Sequence, residues 1–261
     1  MQSIKSYTDS CKDKMKRILL FILINLWAVG AIAQQPLRIS FIEYKPFSSN
    51  SLPKFGFINE IIREAFAIEG IEVEFILTSP AKAYQSIKNG DIDASSGWAP
   101  TEERKAYAGF TKPIYTSSIV LFSHRDNPIS WSRLNANKRI EMGVTKNYYY
   151  GEMFTKARTN RLFSVQTAVS DKINFKKLIR RRIDAFPISL NAGINMLENN
   201  LSRHQRANIT YSTVAIAKDP MSLMVSKQYR DHHKVIATFN RGLAKLKASG
   251  RYQELIENRI L

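Results

Sequence analysis

From Leu37 onward, apolar residues switch repeatedly between two spacings, and this alternation constrains the fold more than any other feature of the sequence. Leu37, Ile39 and Phe41 alternate with polar or smaller residues up to Glu43, as a strand does, and Pro46 ends the run. Ile58, Ile61, Ile62, Ala65 and Phe66 then repeat at helical spacing, with Gly70 placed to close the helix. Residues 72–77 read as a second strand, 81–88 as a short helix closed near Gly90, and 92–95 as a third strand. Strands alternating with helices imply an α/β fold with parallel strands.

The pattern continues with a strand at 117–123, after which Arg125, Asp126, Asn127 and Pro128 interrupt it, a place for the chain to cross between lobes. A second α/β unit follows, with a strand at 140–144, a helix at about 170–181 and a strand at 185–188, ending near 209–214. A strand at 223–226 precedes a long helix on which Val235, Ile236, Phe239, Leu243 and Leu246 share one face; Gly250 stops it, and 252–257 add a last turn or two. A chain of 261 residues is near the size at which a single core divides, so two lobes are expected.

The amino terminus predicts export. Lys12, Lys14, Lys16 and Arg17 lead into an apolar run over 18–30, and Ala31-Ile32-Ala33 supplies small residues at alternate positions. A basic segment, a short apolar core and an A-x-A site make a cleavable signal peptide over 1–33, too short in its apolar part for a stable membrane span of about 20 residues. Met15 is an alternative start that keeps all of these features. Cleavage would remove Cys11, the only cysteine, leaving a periplasmic protein without disulfide, thiolate zinc site or lipid-anchored cysteine.

Formal charge is +17, from 39 basic and 22 acidic side chains, and 15 basic against 5 acidic fall between 127 and 212. Nucleic acid, an anionic membrane surface and an anionic ligand are thus the partners that charge alone suggests, without choosing among them. Lys176, Lys177, Arg180, Arg181 and Arg182 read as a solvated helix face and its end. Enzyme signatures are lacking: the sequence has no G-x-S-x-G, no H-E-x-x-H and no G-x-G. His232 and His233 are adjacent on a helix and expected to point apart, so no metal site and no cofactor are expected.

The stretch from Asp91 to Tyr115 carries the functional signal. It contains Asp91-Ile92-Asp93-Ala94-Ser95-Ser96-Gly97-Trp98, then Thr101-Glu102-Glu103-Arg104, then Phe110-Thr111-Lys112-Pro113-Ile114-Tyr115. Together with Tyr44-Lys45-Pro46-Phe47, Gly56-Phe57, Arg182-Ile183-Asp184-Ala185 and Ala248-Ser249-Gly250-Arg251-Tyr252, it resembles the family 3 extracellular solute-binding proteins, the amino-acid-binding components of ABC importers. The resemblance implies a two-lobe periplasmic binding fold of type II, each lobe a mixed, mostly parallel sheet flanked by helices. Lobe 1 would hold 34–123 and 213–261, lobe 2 would hold 124–212, and the two would close over a ligand.

Arg104 is the first candidate for ligand binding. Three residues after Thr101, it would stand in the first turn of a helix capped by that threonine and grip a carboxylate with two parallel hydrogen bonds. The alternative is a surface arginine paired with Glu60 or another acid. Tyr44, Phe47 and Trp98 would line the lobe 1 wall, with core packing the competing reading, above all for Phe47; Ser96 and Gly97 could offer backbone groups. In lobe 2 the candidates are Asn147, Tyr148 and Ser189. Ser189 stands where the resemblance puts an ammonium-binding aspartate, so the expected ligand is a small carboxylate with net negative charge or without an ammonium, unless Glu43 or Glu152 supplies the acid. The expected partners are that ligand and an ABC permease of the inner membrane, with no nucleic acid, and the protein is expected to be a monomer. Alternatives left open are a dehydratase of cyclohexadienyl type on the same fold, and a secreted protein that binds polyanions or senses a ligand.

Overall fold

The computed structural model describes residues 35–134 and 139–260; the expected signal peptide and Cys11 lie outside the described residues. In chain order the first elements are β1 (Leu37–Phe41), α1 (Phe57–Ala67), β2 (Val73–Leu77), α2 (Pro80–Asn89), β3 (Ala94–Trp98), α3 (Glu102–Lys105), β4 (Ala108–Phe110) and β5 (Tyr115–His124). They are followed by β6 (Glu141–Thr145), α4 (Glu152–Thr159), β7 (Ser164–Ala168), α5 (Asp171–Ile179), β8 (Ala185–Ser189), α6 (Leu190–Asn200) and α7 (Arg203–Ala207). The chain ends with β9 (Ile209–Tyr211), β10 (Ala217–Ser226), α8 (His232–Ala248) and α9 (Arg251–Ile260). Among the described residues no helix is long and apolar enough to cross a membrane.

Local chemistry sets these limits. Ser79 caps α2 by accepting from the Lys82 amide, Pro80 occupies its first turn, and Gly90 closes it in a left-handed conformation. On α1 the predicted stripe of Ile58, Ile61, Ile62, Ala65 and Phe66 is buried, joined by Phe57.

One mixed sheet runs through the molecule in the order β2-β1-β3-β10-β5-β8-β6-β7, with β4 on β10 and β9 on β5. Parallel pairs form its two ends: β1 with β2 and β3, and β6 with β7 and β8. The antiparallel pairs gather around β5 and β10, two ten-residue strands that run from one half into the other. They pair with each other over 115–119 and 217–221, and residues 119–123 then pair with β8 of the second half. The polar stretch at Arg125–Pro128, expected to cross between lobes, is instead a turn at the far end of β5, where His124 bridges to Asn127. The crossing needs no polar linker because the ladder itself satisfies the backbone.

Several elements were not evident in the periodicity. β7 (SVQTA) pairs only with β6 and has a single fully buried side chain, and α4 buries only Phe154 and Ala157. The first half of β10 contains Lys218, Asp219 and Pro220, which argue against a strand in sequence terms. His232 and His233 also differ from expectation: their rings lie against each other, centroids 3.8 Å apart and tilted by 39°, rather than pointing apart.

The core of the first half depends on close contact between α1 and α8, where Phe66 meets Phe239 with ring centroids 5.2 Å apart. A Cβ on Gly242 of α8 would lie 1.9 Å from the Ala65 carbonyl oxygen. Backbone cannot yield there as a flexible side chain would. Gly242→Ala should therefore destabilise the protein by about 1–3 kcal/mol from overpacking, outweighing the ~1 kcal/mol that alanine gains in helix propensity. Urea unfolding measures this, and a variant as stable as the wild type would refute the contact.

Candidate functional site

A nearly closed pocket with about 50 Å³ of free space lies between the two halves. Tyr44, Gly97, Trp98, Ala99 and Arg104 line it from the first half, and Asn147–Tyr150, Ile188 and Ser189 from the second. Ile119 of β5 and Asp219 of β10 complete it.

Arg104 is buried, 5% exposed, and held by a chain of contacts that begins in the sheet. Ser95 Oγ donates to the Ser40 carbonyl, Trp98 Nε1 donates to Ser95 Oγ at 2.7 Å, and the Arg104 guanidinium lies 4.9 Å from the Trp98 ring centroid. Thr101 caps α3, its hydroxyl accepting from the Arg104 amide. The guanidinium donates Nη1 to the Ala99 carbonyl at 2.8 Å and Nη2 to the Asn147 carbonyl at 2.9 Å, the second bond spanning the cleft. Asn147 has φ 68°, in the left-handed region that asparagine tolerates. Of the five N–H groups of a guanidinium, two are thus engaged, and the others remain for a carboxylate. Glu60, a conceivable surface partner, instead pairs with Lys54. Burial lowers the Arg104 pKa, while Tyr84, Tyr107, Glu103 and Asp219 oppose that shift.

The other predicted residues divide. Tyr44 meets Tyr148 edge to face across the cleft, centroids 5.8 Å apart, so the walls touch. Gly97, at φ 81° inside β3, sits where the pairing with β10 slips register, and both it and Trp98 line the cavity. Ser189 lines the cleft, but its hydroxyl shares a 2.6 Å hydrogen bond with Ser117 of β5. Phe47 and Ser96 lie elsewhere. Phe47 is 1% exposed and packs between Phe57 and Tyr115, and Ser96 Oγ donates to Asn59 Oδ1 on α1 at 2.8 Å. Ser96 faces α1, on the side of β3 away from Ser95, and the irregularity at Gly97 brings Trp98 back to the Ser95 side.

The acids offered as substitutes are also outside the cavity. Glu43 is exposed and accepts from the Asn50 amide, and Glu152 is exposed opposite Lys156. The acid that does line it, Asp219, was missed. Burial pushes its pKa up to about 6, against the pull of Arg104. Its signal was an alternation of Ala217, Asp219 and Met221 that becomes visible only once 217–222 is read as strand. The basic side chains Lys176, Arg180, Arg181 and Arg182 are exposed, and Arg181 pairs with Asp126. Among the described residues no group of three or more His, Asp or Glu is placed to hold a metal ion.

Behind the tyrosine wall, Thr145 donates its hydroxyl to Asp171 at 2.5 Å and its amide to the Tyr150 hydroxyl at 2.7 Å. Burial pushes the Asp171 pKa up to about 6, against the Thr145 hydrogen bond. Its place in the first turn of α5 favours the anion by only ~0.3–1 kcal/mol, so burial wins. A carboxyl whose folded pKa lies above its unfolded value destabilises the fold above that folded pKa. Asp171→Asn, which keeps an acceptor for Thr145, should therefore stabilise the unliganded protein at pH 7.5 by on the order of 2 kcal/mol. The advantage should fade between pH 6 and 4 as the wild-type acid takes up its proton. Thermal unfolding across that range checks it; a variant less stable at pH 7.5 would show that the hydrogen bond outweighs burial.

Comparison with known proteins fits this architecture. Over 216 residues the chain is 26% identical to a probable histidine-binding protein of Campylobacter jejuni, covering 82% of this chain and 80% of that protein. A histidine kinase sensor domain similar to periplasmic binding proteins superposes with a TM-score of 0.73 at 18% identity, covering 87% of this chain and 96% of that one. An ancestral arginine-binding protein bound to arginine gives 0.72 at 18% identity, covering 87% and 98%. At that identity the structures establish the fold, the two-lobe type II periplasmic binding architecture. The sequence pattern of one family matches residues 39–259, nearly all of the described chain, and the protein belongs to the bacterial extracellular solute-binding proteins, family 3.

Proposed function

We propose that this protein captures a small carboxylate-bearing molecule, an amino acid or a related organic acid, in the cleft between its halves and delivers it to an ABC permease of the inner membrane. The observation that carries the reading is Arg104: a buried guanidinium at the cavity, fixed by Trp98 and two carbonyls, with N–H groups to spare. Its likeness to a probable histidine-binding protein points to the same class of ligand. The halves would rotate about the paired segments 115–119 and 217–221 of β5 and β10, which supports taking these as the hinge. Closure joins the walls through Arg104–Asn147 and Tyr44–Tyr148, contacts that a ligand in the cavity would reinforce. The protein acts as a monomer and as a binder rather than an enzyme, and resides in the periplasm.

Arg104→Ala should weaken capture of whichever carboxylate co-purifies, identified by native mass spectrometry, by at least tenfold, from loss of a charged hydrogen-bond partner worth about 1.5–3 kcal/mol. Arg104→Lys should also weaken it, since an ammonium cannot present aligned donors. Calorimetric titration measures both, and full affinity in the alanine variant rejects the reading. Export is tested separately: the mature chain recovered from the periplasm should begin at Gln34. A membrane-bound protein with residues 18–30 intact would contradict it.

A further inference from the structure

Resting on that reading of the cleft, we propose that Asp219 selects a ligand carrying a cationic nitrogen, held at the hinge strand while Arg104 holds the carboxylate. The cleft would thus take an amino acid or another molecule with both charges, and not the net anion expected from Ser189.

Asp219 lines the same cavity as Arg104 yet comes from β10, one of the two strands that belong to both halves. In the ladder it stands directly opposite Ser117, and directly opposed residues share a face of the sheet. Ser117 Oγ in turn meets Ser189 Oγ at 2.6 Å. A carboxylate therefore sits beside Ser189, supplied by the neighbouring strand.

This acid is also uncommitted. Among the described residues its carboxylate has neither a hydrogen bond nor an ion pair within 4 Å. Other acids near the cleft are engaged, Glu103 with the Tyr84 hydroxyl and Asp171 with Thr145. A half-buried carboxylate without a partner is costly, and a ligand cation is what would offset the cost. Arg104 does not fill that role, being drawn to the Ala99 and Asn147 carbonyls and the Trp98 ring.

The charged and titratable groups that act on Asp219 or are acted on by it are Arg104 from α3, Tyr44 from the loop after β1, and Tyr148 and Tyr150 from the loop after β6. The three phenols line the same cavity as the carboxylate, and aromatic faces favour a cation.

The test is calorimetric titration of the mature protein with the twenty standard L-amino acids, the 2-hydroxy acid matching any that bind, succinate and benzoate. At least one amino acid should bind wild type at least tenfold more tightly than its 2-hydroxy acid. Asp219→Asn should remove that preference, leaving the hydroxy acid bound as well or better. For wild type the preference should also shrink below about pH 6, as Asp219 takes up a proton, which serves as the readout if the variant does not fold. An amino acid that binds wild type and Asp219→Asn alike, or a wild type that binds succinate or benzoate but no amino acid, overturns the role of Asp219 while leaving carboxylate capture intact. Failure of every carboxylate to bind overturns both.

Discussion

The antiparallel pairing of β5 with β10 is the constraint on which both halves depend. Each half has its own parallel strands, but among the described residues none of these reaches the other half; only the two ten-residue strands do. Rotation of one half against the other must therefore pass through 115–119 and 217–221, where backbone hydrogen bonds limit it to twisting and bending of a two-stranded ribbon. Side chains on the cleft face of that ribbon, Ile119 and Asp219 among them, belong to neither wall. They line the cavity from the ribbon, whereas Asn147 and Tyr148 reach Arg104 and Tyr44 from the facing wall.

Arg104 is fixed in a different way. Its support runs through Trp98 and Ser95 to the β1 carbonyl of Ser40, and through the Thr101 cap, all within the first half. An arginine side chain carries roughly 2 kcal/mol of rotamer entropy. Here that freedom is lost on folding, so little of it is left to oppose ligand capture.

Legibility in the sequence followed burial pattern. Elements with a strong apolar period, such as β1, α1 and α8, could be read directly, and so could the Thr101 cap with Arg104 in the turn behind it. What escaped was polar strand. β10 begins Ala-Lys-Asp-Pro, and its backbone is held by pairing to β5 rather than by any apolar stripe of its own. Pro220 is tolerated opposite Thr116, and the alternation that turns Asp219 to the cleft emerges only from that register. Phe47 and Ser96 fail for the converse reason. Both stand beside true lining residues in sequence, and which face they occupy is decided by packing against Phe57, Tyr115 and Asn59.

The separation of Arg104 from Asp219 has an energetic logic. At contact distance in a partly buried site, opposite unit charges attract by about 4 kcal/mol. A ligand that had to part them would lose nearly a thousandfold in affinity. Two carbonyls and the Trp98 face hold the guanidinium away, so neither charge neutralises the other. Both then bear the cost of burial, seen as a lowered pKa for Arg104 and a raised one for Asp219. A molecule that spans them with its own opposite charges relieves both costs at once, and since one charge lies on a wall and the other on the connecting ribbon, that relief is greatest when the cleft is shut.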